Sequence, residues 1–335
     1  MIRLQNVTKT FNSDTTAVDN ISFHVKEGET FGLVGTSGCG KTTTLKMINR
    51  LIEPTSGTIT INGNSITSQE PQKLRRNIGY VIQDVGLFPH YTIEQNISTV
   101  PKLLEWNERR VQSRSEELLE MVGLSPEIFS ERFPESLSGG QQQRVGLARA
   151  LAADPSIILM DEPFGALDPI TKRQIRTEVS KLFKQIKKTI VLVTHDIFEA
   201  FEMCDRLCLL DEGKMQQIGT PKELLFHPAS DFVDSFLASN RFQLELLSIT
   251  ISNILELKEN SELYWSPPSE KDQQDDIQAD QSLYEILEEM EQRNHENVAI
   301  IHRIDGRVAD SLSFSDLLNC FQSYKKDLKM GGEDG

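Results

Sequence analysis

Hydrophobic and polar positions follow two different periods along this chain. Short, almost uninterrupted apolar runs at Thr30 to Val34, Ile157 to Met160 and Thr189 to Val193 read as strands buried on both faces. Between them, stretches such as Lys41 to Leu51 and Gln141 to Ala152 carry apolar residues at helical spacing and predict helices with one face on a core. Strand and helix in alternation predict an α/β fold with a mainly parallel sheet, because parallel neighbours need a crossover that a helix supplies. From about residue 84 to residue 150 the alternation gives way to polar, helix-forming sequence, including Glu116 to Val122 and the run after Ser138. That segment predicts a helical subdomain inserted between strands.

The pattern changes again near Asn240. Residues 241–335 hold 20 acidic and 9 basic side chains, so this segment carries −11 of the chain's formal charge of −15. A chain of 335 residues suggests about two domains, and the composition divides it into 1–240 and 241–335. Within the second part, Ser266 to Asp280 combines two prolines with dense charge and predicts an exposed loop. The acidic balance argues against nucleic acid as a partner and against a polybasic membrane binder. No run approaches the ~18 consecutive apolar residues of a spanning helix. The opening MIRLQNVTKTF lacks the apolar segment of a secretory signal, so the chain is expected to stay in the cytoplasm. Cys39, Cys204, Cys208 and Cys320 are scattered, with no CxxC pair, and are expected to be reduced thiols.

Three motifs carry chemistry. Gly35, Thr36, Ser37, Gly38, Cys39, Gly40, Lys41 and Thr42 match the GxxxxGK[ST] phosphate loop, set between the apolar FGLV and the amphipathic helical stretch TTTLKMINRL, and Thr43 is expected beside them among the nucleotide-binding residues. Glycines let backbone N–H groups turn in around an anion, the following helix adds the positive end of its dipole, and Lys41 brings a mobile charge to the β and γ phosphates. Thr42 can ligate Mg²⁺. Downstream, Ile157-Ile-Leu-Met-Asp161-Glu162 is an apolar strand ending in two carboxylates. Asp161 would hold Mg²⁺ through water and Glu162 would orient the attacking water, a division of labour suited to phosphoryl transfer. The third motif is Leu137-Ser138-Gly139-Gly140-Gln141, ahead of an Ala-rich helix, where the serine and two glycine amides open a second anion-binding terminus.

LSGGQ shortly before the Asp-Glu strand end, with a phosphate loop about a hundred residues earlier, resembles the ATP-binding subunit of ABC (ATP-binding cassette) transporters. The resemblance covers about residues 1–240. It implies ATP as substrate, Mg²⁺ as cofactor, and a homodimer in which Ser138, Gly139, Gly140, Gln141 and Asp168 meet the nucleotide of the opposite subunit. It also implies that Phe11 stacks on adenine where the family most often has Tyr, that Gln83 links Mg²⁺ and water to the helical subdomain, and that His195 contacts the γ phosphate. Longer strings, among them LRRNIGYVIQDVGLFPHYTI and ILMDEPFGALDPITK, are similar to the ATPases of glycine betaine, carnitine and choline importers. This group implies integral membrane permease subunits, with Leu87, Phe88 and Tyr91 at the contact. An external substrate-binding protein and a place on the cytoplasmic face of the membrane follow from the same resemblance. Other small solutes, such as an amino acid, stay open as cargo. A soluble ABC-type ATPase without transport is the remaining alternative, and the lack of a long coiled-coil insertion or of tandem cassettes weighs against it.

In that group the cassette is often followed by paired CBS modules. Residues 277–322 resemble one such module: Asp280 to Met290, the strand-like Val298 to His302, an Asp305-Gly306 turn and Ser315 to Leu318. The expected fold of 241–335 is therefore a small α+β CBS-like unit that regulates or dimerises, against the alternative of an acidic tail with its own small fold. A net charge of −11 there also permits ionic-strength sensing.

Overall fold

The computed structural model describes residues 1–12, 15–83, 85–165, 167–254, 281–292, 299–302, 308–312 and 314–330, in two compact units, Met1–Ile218 and Gly219–Gly335. The first unit begins with β1 (Ile2–Phe11) and β2 (Thr15–Val25), followed by β3 (Thr30–Gly35) and helix α1 (Lys41–Ile48). The chain continues through β4 (Ser56–Ile61), β5 (Asn64–Ser65), α2 (Pro71–Arg76) and β6 (Ile78–Val81). Four helices come next, α3 (Ile93–Leu103), α4 (Glu108–Met121), α5 (Pro126–Phe129) and α6 (Gly139–Leu151). Then β7 (Ile157–Asp161), α7 (Pro169–Ile186), β8 (Thr189–Val193), α8 (Ile197–Met203), β9 (Arg206–Asp211) and β10 (Lys214–Gly219) alternate.

Two sheets share one core. The larger has the order β10-β9-β3-β8-β7-β6, and its pairs β9–β3, β3–β8, β8–β7 and β7–β6 are all parallel. Every residue of β3, β7 and β8 is buried, which is why these strands read as continuous apolar runs. The second sheet, β2-β1-β4-β5, is antiparallel throughout. Its inward side chains Ile2, Leu4, Val7, Ile21, Phe23 and Ile59 join Phe31, Leu33, Leu45, Met47 and Leu159 in one buried cluster. Because β3, β8, β7 and β6 lie side by side and parallel, the loops leaving their carboxyl ends emerge together, where open α/β sheets place their ligands.

In the second unit, α9 (Pro221–Phe226), α10 (Asp231–Ala238) and α11 (Arg241–Ser248) lead to α12 (Leu283–Gln292). The antiparallel pair β11 (Ala299–His302) and β12 (Val308–Leu312) and the helix α13 (Phe314–Met330) complete it. Leu246, Ile249, Ile254, Ile286, Leu317 and Phe321 form its apolar core, with Phe226 packed against them. Phe226 and Leu246 therefore tie α9 and α11 to this core, and the physical division falls after Ile218, ahead of the compositional change near Asn240. The predicted loop at 266–280, Val298 and the Asp305-Gly306 turn lie outside the described residues.

Candidate functional site

The phosphate loop joins β3 to α1. Thr36, Ser37 and Gly38 are exposed at its top, whereas Cys39, Gly40 and Lys41 are buried beneath. Gly40 is the N-cap of α1 with φ of 97°, and a Cβ there would sit 2.3 Å from the Ala17 carbonyl oxygen, so only glycine fits. The helix start has no side-chain cap and no acid in its first turn. Its backbone N–H groups are thus left to whatever anion the loop takes. Lys41 is 6% exposed, and its Nζ donates to the carbonyls of Gly35 (3.0 Å) and Thr36 (2.8 Å), which holds the ammonium across the loop. Thr36 Oγ1 in turn donates to Asp211 Oδ1 at the end of β9, 2.6 Å away. Thr43 follows in the first turn of α1.

The two carboxylates at the end of β7 differ in setting. Asp161 closes the strand, buried, and accepts a hydrogen bond from Thr42 Oγ1 at 2.7 Å. Burial pushes its carboxyl above the usual range, against the opposing pull of the Thr42 hydroxyl and the charge of Lys46. Tyr80 on β6, which burial and the Asp161 charge push up to about 12, stays a neutral phenol. Glu162 leaves the strand with φ of 46°, in the left-handed region that non-glycine residues rarely occupy. That turn takes its carboxylate out of the strand's alternation, and Oε2 meets Gln83 Nε2 at 3.3 Å and His195 Nδ1 at 3.1 Å. Gln83 follows β6 and His195 follows β8, so three strand ends supply this cluster. Two hard oxygens in contact, Thr42 Oγ1 and Asp161 Oδ1, form a donor set suited to Mg²⁺.

The remaining predicted residues are occupied elsewhere. Ser138 and Gln141 form a capping box on α6: Ser138 Oγ accepts from Gln141 N at 3.3 Å, and Gln141 Oε1 accepts from Ser138 N at 3.0 Å. Gly139 and Gly140 open that helix, and Gly140 is pressed close against Ile175 of α7, which a Cβ would approach to 2.5 Å. Asp168 caps α7 through Thr171 N (3.1 Å). Phe11 ends β1, 40% exposed as a residue, with Lys9 Nζ 5.0 Å from the ring centre. Sequence reasoning did not pick out Thr36–Asp211, or the groups beside His195: Thr194, Asp196 and Glu199 together with Lys172. The only signal for the latter was the polar THD following an apolar strand.

A sequence model of the family described as "ABC transporter" matches residues 18–165. The chain is 54% identical over 241 residues to the choline transport ATP-binding protein OpuBA of Bacillus subtilis (strain 168), covering 72% of this chain and 63% of that one. It is 50% identical over 258 residues to the osmoprotectant import ATP-binding protein OsmV of Salmonella typhimurium, covering 76% and 68%. Among solved structures, a dimeric ATP-binding cassette in a post-hydrolysis state with ADP and Pi aligns with a TM-score of 0.59 at 36% identity, over 66% of this chain and 98% of that one. The chain belongs to the ABC transporter ATP-binding family. Its match spans a little under two thirds of the choline relative's length. Among the described residues no helix is long and apolar enough to cross a membrane.

Proposed function

We propose that this chain is the ATP-hydrolysing subunit of an ABC importer and that its cargo is a quaternary-amine osmoprotectant such as glycine betaine, carnitine or choline. The observation that carries the ATPase reading is the convergence of Lys41, Thr42, Asp161, Glu162, Gln83 and His195 on the loops after four adjacent parallel strands. The α1 N–H groups and Lys41 would hold the β and γ phosphates. Thr42 and Asp161 would hold Mg²⁺, which when bound neutralises phosphate charge. Among the described residues no cluster of three or more His, Cys, Asp or Glu could hold a metal alone, so the nucleotide's own oxygens would complete the shell. Glu162 orients the attacking water and accepts its proton, while Gln83 and His195 fix the carboxylate on which that step depends. Phe11 offers an exposed ring for the adenine.

The cap on α6 favours a second copy as partner. With Ser138 and Gln141 satisfying each other, this terminus keeps its shape before a phosphate arrives, and a homodimer would bring it to the nucleotide on the opposite chain. The helices α3 to α6 would form the helical subdomain. Beside them a groove of about 350 Å³ is lined by Tyr80, Ile82, Phe88, Val100 and Arg149, and Phe88 and Tyr91 are exposed. This groove would receive a short helix of a permease subunit at the cytoplasmic face, with an external substrate-binding protein acting through the permease. The second unit would be the CBS-like regulatory element.

The cargo reading rests on the relatives. A sulfate/thiosulfate import ATP-binding protein of Pseudomonas aeruginosa is 43% identical over 72% of this chain, so likeness of the cassette by itself follows the ATPase more than the solute. Uptake of radiolabelled glycine betaine, carnitine and choline by cells carrying this chain with its permease tests both halves. Uptake of one of them that disappears with Lys41→Ala supports the reading. Uptake indifferent to Lys41→Ala refutes it, and Lys41-dependent uptake of a different solute refutes the cargo.

A further inference from the structure

His195 sits in a short link whose two neighbours are tied to each other and to a separate helix. Thr194 Oγ1 accepts from Asp196 N at 3.0 Å and donates to Glu199 Oε2. Lys172 Nζ lies 2.7 Å from Glu199 Oε1 and 2.9 Å from Asp196 Oδ2. Asp196 Oδ1 is meanwhile taken by Phe198 N at 2.9 Å, the cap of α8. Thr194, Glu199, Lys172 and Asp196 thus close a ring around the His195 peptide. The imidazole itself takes no part in the ring and faces Glu162.

Two features separate this ring from ordinary fastening of α7 to α8. Glu199 is 2% exposed, and a carboxylate so deep is tolerated only when a cation is matched to it. Yet one turn further along α7, Arg176 pairs with Glu202 of α8 at 2.6 Å, and both are largely buried. That pair already joins the two helices without touching the His195 link. Lys172 differs in that its two acceptors are the cap residue directly after His195 and the carboxylate that holds the hydroxyl directly before it. Burial works to lower the Lys172 pKa, but its bonds to Glu199 and Asp196 outweigh it and hold the ammonium charged.

We propose that Lys172 is a positioning residue for His195: its ammonium, set between Asp196 and Glu199, fixes the backbone of Thr194-His195-Asp196 and so holds the imidazole against Glu162. Lys172 stands in the first turn of α7, four residues after the Asp168 cap, whose carbonyl accepts from Lys172 N at 2.8 Å, so movement of that cap would be passed to His195 through one side chain. The proposal rests on the reading of the site as an ATPase.

The test uses the full-length chain and six variants: Lys172→Met, Lys172→Arg, Arg176→Met, His195→Ala, Asp196→Asn and the double variant Lys172→Met/His195→Ala. With ATP and Mg²⁺, Lys172→Met is expected to lower kcat by roughly tenfold or more while KM stays within about twofold, the signature of a misplaced group and not of lost binding. Lys172→Arg should restore most of the rate, and Arg176→Met should keep it. In the His195→Ala background Lys172→Met should cost nothing further, because both act through one group. A second readout needs no nucleotide. The His195 imidazole ¹H–¹⁵N signal, assigned by its loss in His195→Ala, should shift in Lys172→Met, return in Lys172→Arg and stay in place in Arg176→Met. If Lys172→Met does not fold, Asp196→Asn, which keeps an oxygen for Phe198 N but turns an amide toward the ammonium, carries the same expectations. Equal losses in Lys172→Met and Arg176→Met, an unmoved imidazole signal, or a full Lys172→Met effect without His195 would each overturn the proposal. A parent chain that binds nucleotide without hydrolysing it would overturn the ATPase reading, and this one with it.

Discussion

Two helices of the first unit begin in glycine-rich sequence, α1 after the phosphate loop and α6 after Ser138, and their first turns are finished in opposite ways. At α1 the N-cap is a left-handed glycine, no side chain caps the helix and no acid stands in the first turn. At α6, Ser138 and Gln141 cap each other reciprocally. A helix start left without side-chain acceptors keeps its orphan N–H groups and its dipole for an anion, so in the proposed ATPase α1 would be completed by ligand. A start that is already capped holds its geometry alone, and the box uses the Gln141 N–H while leaving those of Gly139 and Gly140 outside it. In the proposed dimer this is the arrangement needed where the phosphate arrives on another chain and departs with it. On the proposed reading, the same fold would hold one terminus that depends on its nucleotide and one that waits for it.

The sharpest way to break that contrast is at α1. Lys41→Ala removes the cation held across the phosphate loop and should lower kcat/KM for ATP by roughly 10³-fold, combining a lost charge-assisted contact in the bound state with lost stabilisation of developing charge. Nucleotide binding followed by titration with a fluorescent ATP analogue should weaken with it. An affinity equal to the parent's would show that the uncapped terminus and not the lysine does the holding. Glu162→Gln comes next. The amide can still meet Gln83 and His195 but accepts no proton, so turnover should fall by roughly 10²-fold while ATP affinity is kept. The closed dimer should accumulate on size-exclusion chromatography with ATP. Parental turnover in Glu162→Gln would remove Glu162 from the role assigned to it.

How much of this was legible in the sequence depends on the distance between the groups involved. Strands β3, β7 and β8 announced themselves because burial on both faces requires every position to be apolar, and the phosphate loop and the Asp161-Glu162 strand end are each contiguous. The antiparallel sheet of β1, β2, β4 and β5 was not legible: the register of β1 against β2 shifts between Leu4 and Val7 and again between Val7 and Lys9, and such irregularities spoil the two-residue alternation by which a half-buried strand is recognised. Gln83 and Glu162 stand 79 positions apart in the chain, and only the adjacency of β6 and β7 makes them partners. The ring of Lys172 with Asp196 and Glu199 escaped for the same reason, since a lysine in an amphipathic helix reads as a solvated face. Composition and packing mark different divisions, since the charge changes near Asn240 while Phe226 already packs into the second core.

The smallest expected effect tests α6 itself. Ser138→Ala removes the hydroxyl that accepts from Gln141 N, and loss of such a cap costs about 1 kcal/mol. In a domain of this size that lowers the thermal midpoint by about 2–4 °C. Because the α1 site is untouched, the affinity of the ATP-free monomer for a fluorescent nucleotide should equal the parent's. The catalytic rate should fall, and it should fall more at low protein concentration than at high, since the defect lies in how one copy receives the nucleotide of another. Differential scanning calorimetry, nucleotide titration and ATPase assays over a range of protein concentrations separate these outcomes. If Ser138→Ala weakened nucleotide binding to the monomer as Lys41→Ala does, the two termini would belong to one site on one chain. The contrast between a helix completed by ligand and a helix completed by its own cap would then have no functional meaning.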